Sequence, residues 1–307
     1  MGVILSLIAA LVLYVPVLVA VAFLTLAERK TLGFAQLRRG PAVVGPTGLL
    51  QPMADGVKLF SKKTIIPAPA WGLPFLGAPC LGLTLALLVF FFIDWPGSGP
   101  AWTGRVGVLF IVAIAGLSIY AILIGAWASR SRYALLGGLR AAAQMISYEI
   151  LISILLLTIT VLWASASPSA LTAGQTLSGP LILPLLPLAV AHFIALLAET
   201  NRAPFDLAEG ESELVSGFNV EYSASAFSLF SLAEYGHMVL GSVLWALLYW
   251  GGGLRWGVPA VAACGTLLWV RASFPRIRYD LLMSSCWNSA LPTLLVALPL
   301  VYWVSTV

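Results

Sequence analysis

Charged residues are scarce in this sequence of 307 residues. Lys, Arg, Asp and Glu make up 9% of it, whereas soluble domains carry charge on roughly 25% of their residues. Hydrophobic residues make up 60%, and the mean hydropathy is +0.99. No water-soluble fold covers so much apolar surface with so few polar groups. The composition excludes a soluble enzyme, a disordered chain and a nucleic-acid-binding domain, and predicts an integral membrane protein.

Cysteine is also scarce, because the sequence contains only Cys80, Cys264 and Cys286, far apart and without a CxxC pair. Iron–sulfur clusters and structural zinc sites usually take about four ligands, most of them cysteines. We therefore expect that this chain binds no metal, carries no redox centre of its own and has no disulfide framework.

The sequence also lacks the basic region and the cleavage pattern of a secretory signal, since one apolar run leads from Gly2 to Ala27. An arginine-rich transit peptide is missing as well. We expect from these absences that the protein is made where it is used, in a bacterium or in an organelle that encodes it.

Long apolar runs are abundant. A transmembrane helix needs about 20 mostly apolar residues, and the runs are continuously apolar, whereas the strands of a barrel would alternate. We predict an all-α integral membrane protein in which residues 1–307 form a single transmembrane domain of about eight helices. The predicted spans are residues 3–27, 73–93, 104–127, 142–163, 181–198, 226–250, 257–271 and 288–306.

The basic residues predict the topology. All of them except Arg105 and Arg255 fall in the loops that follow odd-numbered helices. The positive-inside rule places those loops on the cytoplasmic or matrix side, here called the inner side, and both termini on the outer side. The first inner loop, residues 28–70, contains apolar residues at helical spacing, which predicts an amphipathic helix at the membrane interface; these are Leu49, Met53, Val57 and Phe60.

Acidic residues concentrate in a second inner loop, residues 199–225, and just beyond it. Asp206, Glu209 and Glu213 are spaced i, i+3 and i+7, so in a helix they would share one face and repel each other. Apolar and aromatic residues interleave with the acids, which favours partial burial over a solvated acidic loop. The acids of this region are Glu199, Asp206, Glu209, Glu211, Glu213, Glu221 and Glu234.

Glu149 lies inside the fourth predicted span. Intramembrane carboxylates are costly, so they normally face the interior of a bundle and mark ion or proton paths; the alternative is a Glu paired with Arg to fix the packing. With Glu199 and Glu234, Glu149 predicts a file of carboxylates that transfers protons if water links its members. We interpret His192 and His237, on successive helices, as packing groups, although a two-histidine haem site is conceivable.

The inner-side arginines form a second group of candidates. Most should extend to lipid headgroups, but Arg38 and Arg278 adjoin Pro/Gly-rich or aromatic sequence, which favours ligand or subunit contacts. The group consists of Arg29, Arg38, Arg271, Arg276 and Arg278.

Five segments resemble the NADH dehydrogenase subunit 1 family, the quinone-chamber membrane subunits of respiratory complex I. They are residues 27–41, 43–59, 140–149, 198–222 and 271–280, which touch almost every inner loop. The third of them contains RAAAQMISYE, and the fourth ends in NVEY, as in mitochondrial members. At Ser61-Lys62-Lys63 the family often has a Lys-Glu pair, so any salt bridge of that acid is in doubt.

The resemblance implies a core membrane subunit of proton-pumping NADH:ubiquinone oxidoreductase. Ubiquinone would be the substrate, with NADH, FMN and iron–sulfur clusters on partner subunits. The partners would be peripheral-arm quinone-site subunits, small membrane subunits and antiporter-like subunits, besides membrane lipid. The location would be the mitochondrial inner membrane with an organelle-encoded chain, or alternatively a bacterial plasma membrane.

The resemblance also implies residue roles. The first helix, the interfacial helix and the sixth helix would wall a tunnel that admits the quinone from the bilayer. Quinone-binding residues would be Arg29, Arg38, Phe218 and Arg278. A proton path that couples the chamber to the antiporter-like subunits would consist of Glu149, Glu199, Asp206, Glu209, Glu211, Glu213 and Glu234.

Two alternatives remain open from the sequence. A membrane subunit of a membrane-bound hydrogenase would share this scaffold. A stand-alone proton-coupled transporter usually shows inverted repeats, and no internal repeat is evident here.

Overall fold

The computed structural model of the chain describes residues 2–93, 95, 106–207, 217–251 and 256–306. Within these ranges every regular element is a helix. Six helices are long and apolar enough to cross a membrane, and two shorter apolar helices stand in place of the fifth and seventh predicted spans. The all-α membrane fold is therefore confirmed.

The helices follow the predicted order, with short 3-10 turns at Pro46–Gly48, Phe90–Phe92 and Gly217–Asn219. A π-helical segment, Ser285–Ala290, joins the last two α-helices into one span. The α-helices are α1 Gly2–Ala35, α2 Gln51–Ser61, α3 Gly72–Val89, α4 Gly107–Ala128, α5 Arg132–Leu162, α6 Pro168–Ser178, α7 Leu186–Glu199, α8 Ala224–Trp250, α9 Gly257–Ser273, α10 Tyr279–Ser284 and α11 Leu291–Thr306.

Two predicted spans begin too late. Helix α5 begins at Arg132 instead of at residue 142, and the last span begins at Tyr279 instead of at residue 288. The prediction required apolar windows, which excluded the polar first turns of both helices. Those turns are nevertheless helical and contact each other, because the guanidinium of Arg140 lies 6.0 Å from the ring centroid of Tyr279.

Helix α6 lies in the segment 164–180, for which the sequence predicted no motif. The Ser167 hydroxyl accepts a hydrogen bond of 3.1 Å from the amide of Ala170, and Pro168 occupies the start of the helix. Both are common features of a helix N-terminus. At 11 residues α6 is too short to cross a bilayer, so it adds no span between α5 and α7, and the predicted topology puts it on the outer side.

The helix predicted in the first inner loop is present as α2. Its apolar residues Met53, Val57 and Phe60 are 68%, 69% and 60% exposed, so they form a face that the rest of the chain does not cover. On another face, Asp55 accepts a bond of 2.6 Å from Nη1 of Arg29 in α1. Helix α2 is thus attached to α1 while its apolar face remains free.

Helix α8 is the central element of the bundle, because it contacts α1, α2, α3, α6, α7 and α9. Small residues allow the closest approaches. A Cβ added at Gly241 of α8 would collide with Leu196 of α7, and one added at Gly138 of α5 would collide with Ala126 of α4. Close backbone packing at small residues is typical of membrane helices, and here it brings α4, α5, α7 and α8 together around a common interior.

The inner loop between α7 and α8 is held by buried polar contacts. The Gln144 side-chain amide donates bonds of 2.8 Å to the carbonyls of Ala198 and Phe205. At the end of this loop Tyr222 stacks on Phe75 at 4.2 Å, and its hydroxyl lies 3.1 Å from the Phe75 carbonyl and 3.3 Å from the Gly125 carbonyl. Burial raises the pKa of the Tyr222 phenol, so the hydroxyl stays protonated and donates.

We expect Tyr222→Phe to lower the stability of the purified protein by about 1–2 kcal/mol, because two buried carbonyls lose their shared donor while the ring stacking is kept. The midpoint of thermal unfolding measures this. Tyr120→Phe is the matched control, since Tyr120 is 58% exposed. Equal midpoints for the two variants would show that the buried hydroxyl contributes nothing.

Candidate functional site

A buried ion cluster joins α1, the α7–α8 loop, α8 and α9. It consists of Glu28, Arg202, Glu234 and Arg271. Arg202 Nη2 lies 3.2 Å from Glu234 Oε2 and Arg202 Nη1 lies 3.9 Å from Glu28 Oε1, and Glu28 also pairs directly with Arg271. Two carboxylates and two guanidinium groups balance each other in charge, which offsets part of the cost of removing them from water.

Arg202 is the centre of this ion cluster. Its side chain is 10% exposed, and its guanidinium lies 4.5 Å from the ring centroid of Tyr235. A guanidinium so placed gains cation–π attraction besides its ion pairs. One oxygen of Glu28, Oε2, is buried and has no hydrogen-bond partner among the described residues. A buried polar atom of this kind is a candidate water or proton site.

Glu234 connects the ion cluster to an interior cavity. This inner cavity is lined by Glu199, Asn201, Glu234 and His237, besides two hydroxyl side chains and apolar residues. Asn201 Oδ1 is buried and lacks a partner among the described residues. Unpaired polar atoms around a cavity are the condition under which buried water is held.

A second cavity lies deeper in the bundle. This middle cavity is lined by Glu149, His192, Glu199 and His237, together with Ser153 and apolar side chains. Glu199 and His237 therefore line both cavities. His192 is buried at 2% exposure, and its Nδ1 has no partner in the described parts of the chain. The middle cavity thus offers a second site for water beside two carboxyl groups.

A glycine on the facing helix leaves the space that the Glu149 side chain occupies in the middle cavity. A Cβ added at Gly116 of α4 would collide with the carboxyl oxygen of Glu149. The side chain therefore occupies space that only glycine leaves open. Glu149 faces the bundle interior, as the sequence predicted.

Asp206, another predicted proton-path residue, lies in the inner loop between α7 and α8. Asp206 Oδ2 lies 3.5 Å from Nη2 of Arg276, which links the two inner loops that flank α8 and α9. A backbone bond of 3.0 Å from Ile277 to Pro204 reinforces the link. Glu209, Glu211 and Glu213 lie outside the described residues.

The four predicted quinone-binding residues have different surroundings. Arg29 pairs with Asp55, and the Arg38 guanidinium donates a bond of 2.7 Å to Gln36 on the exposed loop after α1. Arg278 pairs with Asp280 at the surface, with 79% of its side chain exposed. Phe218 is 1% exposed, packs edge-on against Phe230 and lines the inner cavity.

Sequence reasoning missed several members of the site. Glu28 received no role, although it is the one acidic residue of α1. The two histidines were assigned to packing, yet both line the cavity that contains Glu149 and Glu199. The sequence did contain a signal for this position. His192 lies seven residues before Glu199 and His237 lies three residues after Glu234, so each histidine shares a helical face with a glutamate.

The arrangement supports proton transfer rather than covalent chemistry. Titratable groups at the ion cluster, the inner cavity and the middle cavity follow one another, and adjoining cavities share two of them. A proton can move along such a series when water bridges neighbouring groups.

Comparison with known proteins gives a consistent result over the whole chain. The sequence matches the family model for NADH dehydrogenase over residues 8–302. Proteins named NADH-ubiquinone oxidoreductase chain 1 are similar to it. The one from Metridium senile is 48% identical over 302 residues, which cover 95% of this chain and 90% of the relative. The one from Zaedyus pichiy is 49% identical over 292 residues, which cover 92% and 91%.

We expect Arg202→Met to destabilise the purified protein by about 3–5 kcal/mol, because it leaves buried carboxylates without their central partner. The free energy of unfolding measures this loss. Arg278→Met is the control, since its ion pair is exposed and contributes at most about 1 kcal/mol. If the two variants lost equal stability, the ion cluster would not have the structural role described here.

Proposed function

The chain belongs to the NADH dehydrogenase family, and from this premise we propose that it couples quinone reduction to proton movement through its buried acidic residues. The chain is a core membrane subunit of complex I, the NADH–ubiquinone oxidoreductase, and its partners are other complex I subunits. Ubiquinone is accordingly the substrate. The names of the relatives favour this function over a hydrogenase subunit or a stand-alone transporter.

One observation carries the proposal, namely that Glu199 and His237 line both the inner and the middle cavity. Protons can therefore pass from Glu234, at the edge of the ion cluster, to Glu199 and on to Glu149 without leaving the protein interior. Glu149 lies 17 residues after the start of α5, which corresponds to about 26 Å along the helix axis. The path thus extends from the inner surface well into the bundle.

We propose that the quinone reaches its site between α1, α2 and α8. These three helices contact one another, and the exposed apolar face of α2 suits contact with lipid or with an isoprenoid tail. Arg29 and Arg38 stand at the polar end of this wall, where a quinone headgroup would lie, with Arg278 on the neighbouring inner loop. Phe218 would act from inside the bundle, as part of the wall between the headgroup site and the inner cavity.

The electrons would come from partner subunits. Three separate cysteines do not supply the ligands of an iron–sulfur cluster, so we assign NADH, FMN and the clusters to those partners. Peripheral-arm subunits would complete the quinone site on the inner side. Small membrane subunits and antiporter-like subunits would continue the proton path beyond Glu149.

Coupling follows from the proton demand of the quinone. Reduction to quinol consumes protons, and nearby carboxyl groups are the donors that this chain offers. Loss of a proton near the ion cluster would leave an added negative charge beside Glu234, which attracts a replacement proton from the inner side. Asp206, Glu209, Glu211 and Glu213 would supply protons on the inner side.

We place the working protein in the mitochondrial inner membrane as an organelle-encoded chain, with a bacterial plasma membrane as the alternative.

We expect Glu149→Gln to slow proton translocation by about a hundredfold or more, the usual cost of removing a positioned proton-transfer group. The measurement is proton uptake or release per NADH oxidised, in assembled complex reconstituted into liposomes. Reduction of a soluble electron acceptor by NADH should stay unchanged, because no electron passes through Glu149. Glu221→Gln, an inner-loop change outside both cavities, is the control, and normal pumping by the assembled Glu149→Gln complex would contradict the role of Glu149.

We expect Arg38→Ala to weaken ubiquinone reduction by at least about tenfold, as for loss of a charged hydrogen bond to a ligand. NADH oxidation by a soluble acceptor should be kept. Arg39→Ala removes the same charge from the adjacent exposed position and should have a smaller effect. Equal losses with both acceptors would instead indicate failed assembly.

A further inference from the structure

A third cavity lies at the outer end of the bundle. This outer cavity lies between α4, α5, α6 and α8 and is lined by apolar side chains and Thr172. The Thr172 hydroxyl is already used, since it donates a bond of 3.0 Å to the Ser169 carbonyl. Within the described residues, none of the buried unpaired polar atoms belongs to the lining of this cavity. Cavities of this kind stay dry.

The three cavities follow one another along the bundle. On α8 the inner cavity is lined from Phe230 to His237, the middle cavity from His237 to Leu244, and the outer cavity from Leu244 to Leu248. The whole series covers about 27 Å along α8, close to the bilayer core of about 30 Å. Together the cavities form a series whose length is close to the thickness of the bilayer core.

The two junctions of this route differ in chemistry. The inner and middle cavities share two titratable side chains, Glu199 and His237. Among the described residues, the middle and outer cavities share only Ile111, Leu156 and Leu244. Ile111 and Leu156 are each 3% exposed, so this second junction is a closed apolar layer.

The change from titratable to apolar lining takes about two helical turns. On α5, Glu149, Ser153 and Leu156 are spaced i, i+4 and i+7 and therefore share one face. On α8, His237, Gly241 and Leu244 repeat this spacing. The last titratable groups on both helices thus lie two turns from the apolar layer, and neither helix has a further titratable side chain in the cavity lining between them.

We propose that Ile111, Leu156 and Leu244 form the barrier that closes the proton path of this subunit towards the outer side. This inference rests on the proposed function, because a barrier is needed only where a proton path exists. An apolar constriction excludes water, and a proton without water or a titratable group has no carrier across it. With this barrier, protons enter from the inner side and leave towards the neighbouring membrane subunits. The barrier also prevents protons from leaking back through this chain and dissipating the gradient that the complex makes.

The barrier is tested by making it polar without changing its shape. Leu156→Asn places an amide of similar size in the layer, and Leu244→Asn does so from the facing helix, where partial exposure makes assembly easier. Complex I with either variant is reconstituted into liposomes that contain a pH-sensitive dye. A potassium diffusion potential then drives passive proton influx without NADH. We expect influx to rise about tenfold or more, which corresponds to a barrier lower by about 1.4 kcal/mol.

Two controls match these variants. Leu156→Met keeps the layer apolar at nearly the same volume, and Leu157→Asn places the same amide one residue away, on a side chain that is 46% exposed. Neither should leak. Adding Glu149→Gln to Leu156→Asn should reduce the leak, because protons would reach the layer through the middle cavity.

The outcomes separate the barrier from the proton path. Suppose that assembled Leu156→Asn and Leu244→Asn complexes stay tight while Glu149→Gln abolishes pumping. The barrier assignment is then wrong and the proposed function stands. If both Asn variants stay tight and Glu149→Gln pumps normally, both proposals are overturned. An equal leak from Leu157→Asn would also overturn the barrier, since it would indicate general disruption of the bundle.

Discussion

Charge in a low-dielectric interior must be balanced, and this constraint shapes the whole bundle. A carboxylate in lipid surroundings is costly unless it has an ion-pair partner, water or a proton. Near the inner side the chain meets the constraint with arginines, which pair with Glu28 and Glu234. Deeper in the bundle Glu149 and Glu199 line cavities instead. The carboxyl groups near the inner side are therefore ion-paired, whereas those deeper in the bundle line cavities. The cavity-lining carboxyl groups are the ones suited to exchange protons.

The packing of small residues makes this arrangement possible. Gly116 leaves space for the Glu149 carboxyl group, and Gly241 allows α7 to approach α8 beside the middle cavity. Beyond that point α4, α5 and α8 line the outer cavity with branched apolar side chains. The bundle is thus polar in its inner part and dry in its outer part, and the asymmetry gives the proposed path a direction.

Much of this could be predicted from sequence, for local reasons. Apolar runs identify spans because lipid requires them, and a lone Glu149 inside such a run has to face the interior. The start of α5 could not be found in this way, since its first turns are polar and are held by a partner 139 residues later, Tyr279. The ion cluster was equally hidden, because Glu28 and Arg271 are 243 residues apart in sequence. Contacts of this range depend on how helices pack, which composition and periodicity do not reveal.

The central claim is that buried carboxyl groups of this chain change protonation when quinone is reduced. Infrared difference spectroscopy of the intact complex, recorded between its oxidised and reduced states, tests this most directly. The account predicts a carboxyl C=O band that appears on reduction or oxidation of the quinone and is lost in Glu199→Gln complex. A difference spectrum that is identical in the two complexes, at equal quinone turnover, would contradict it.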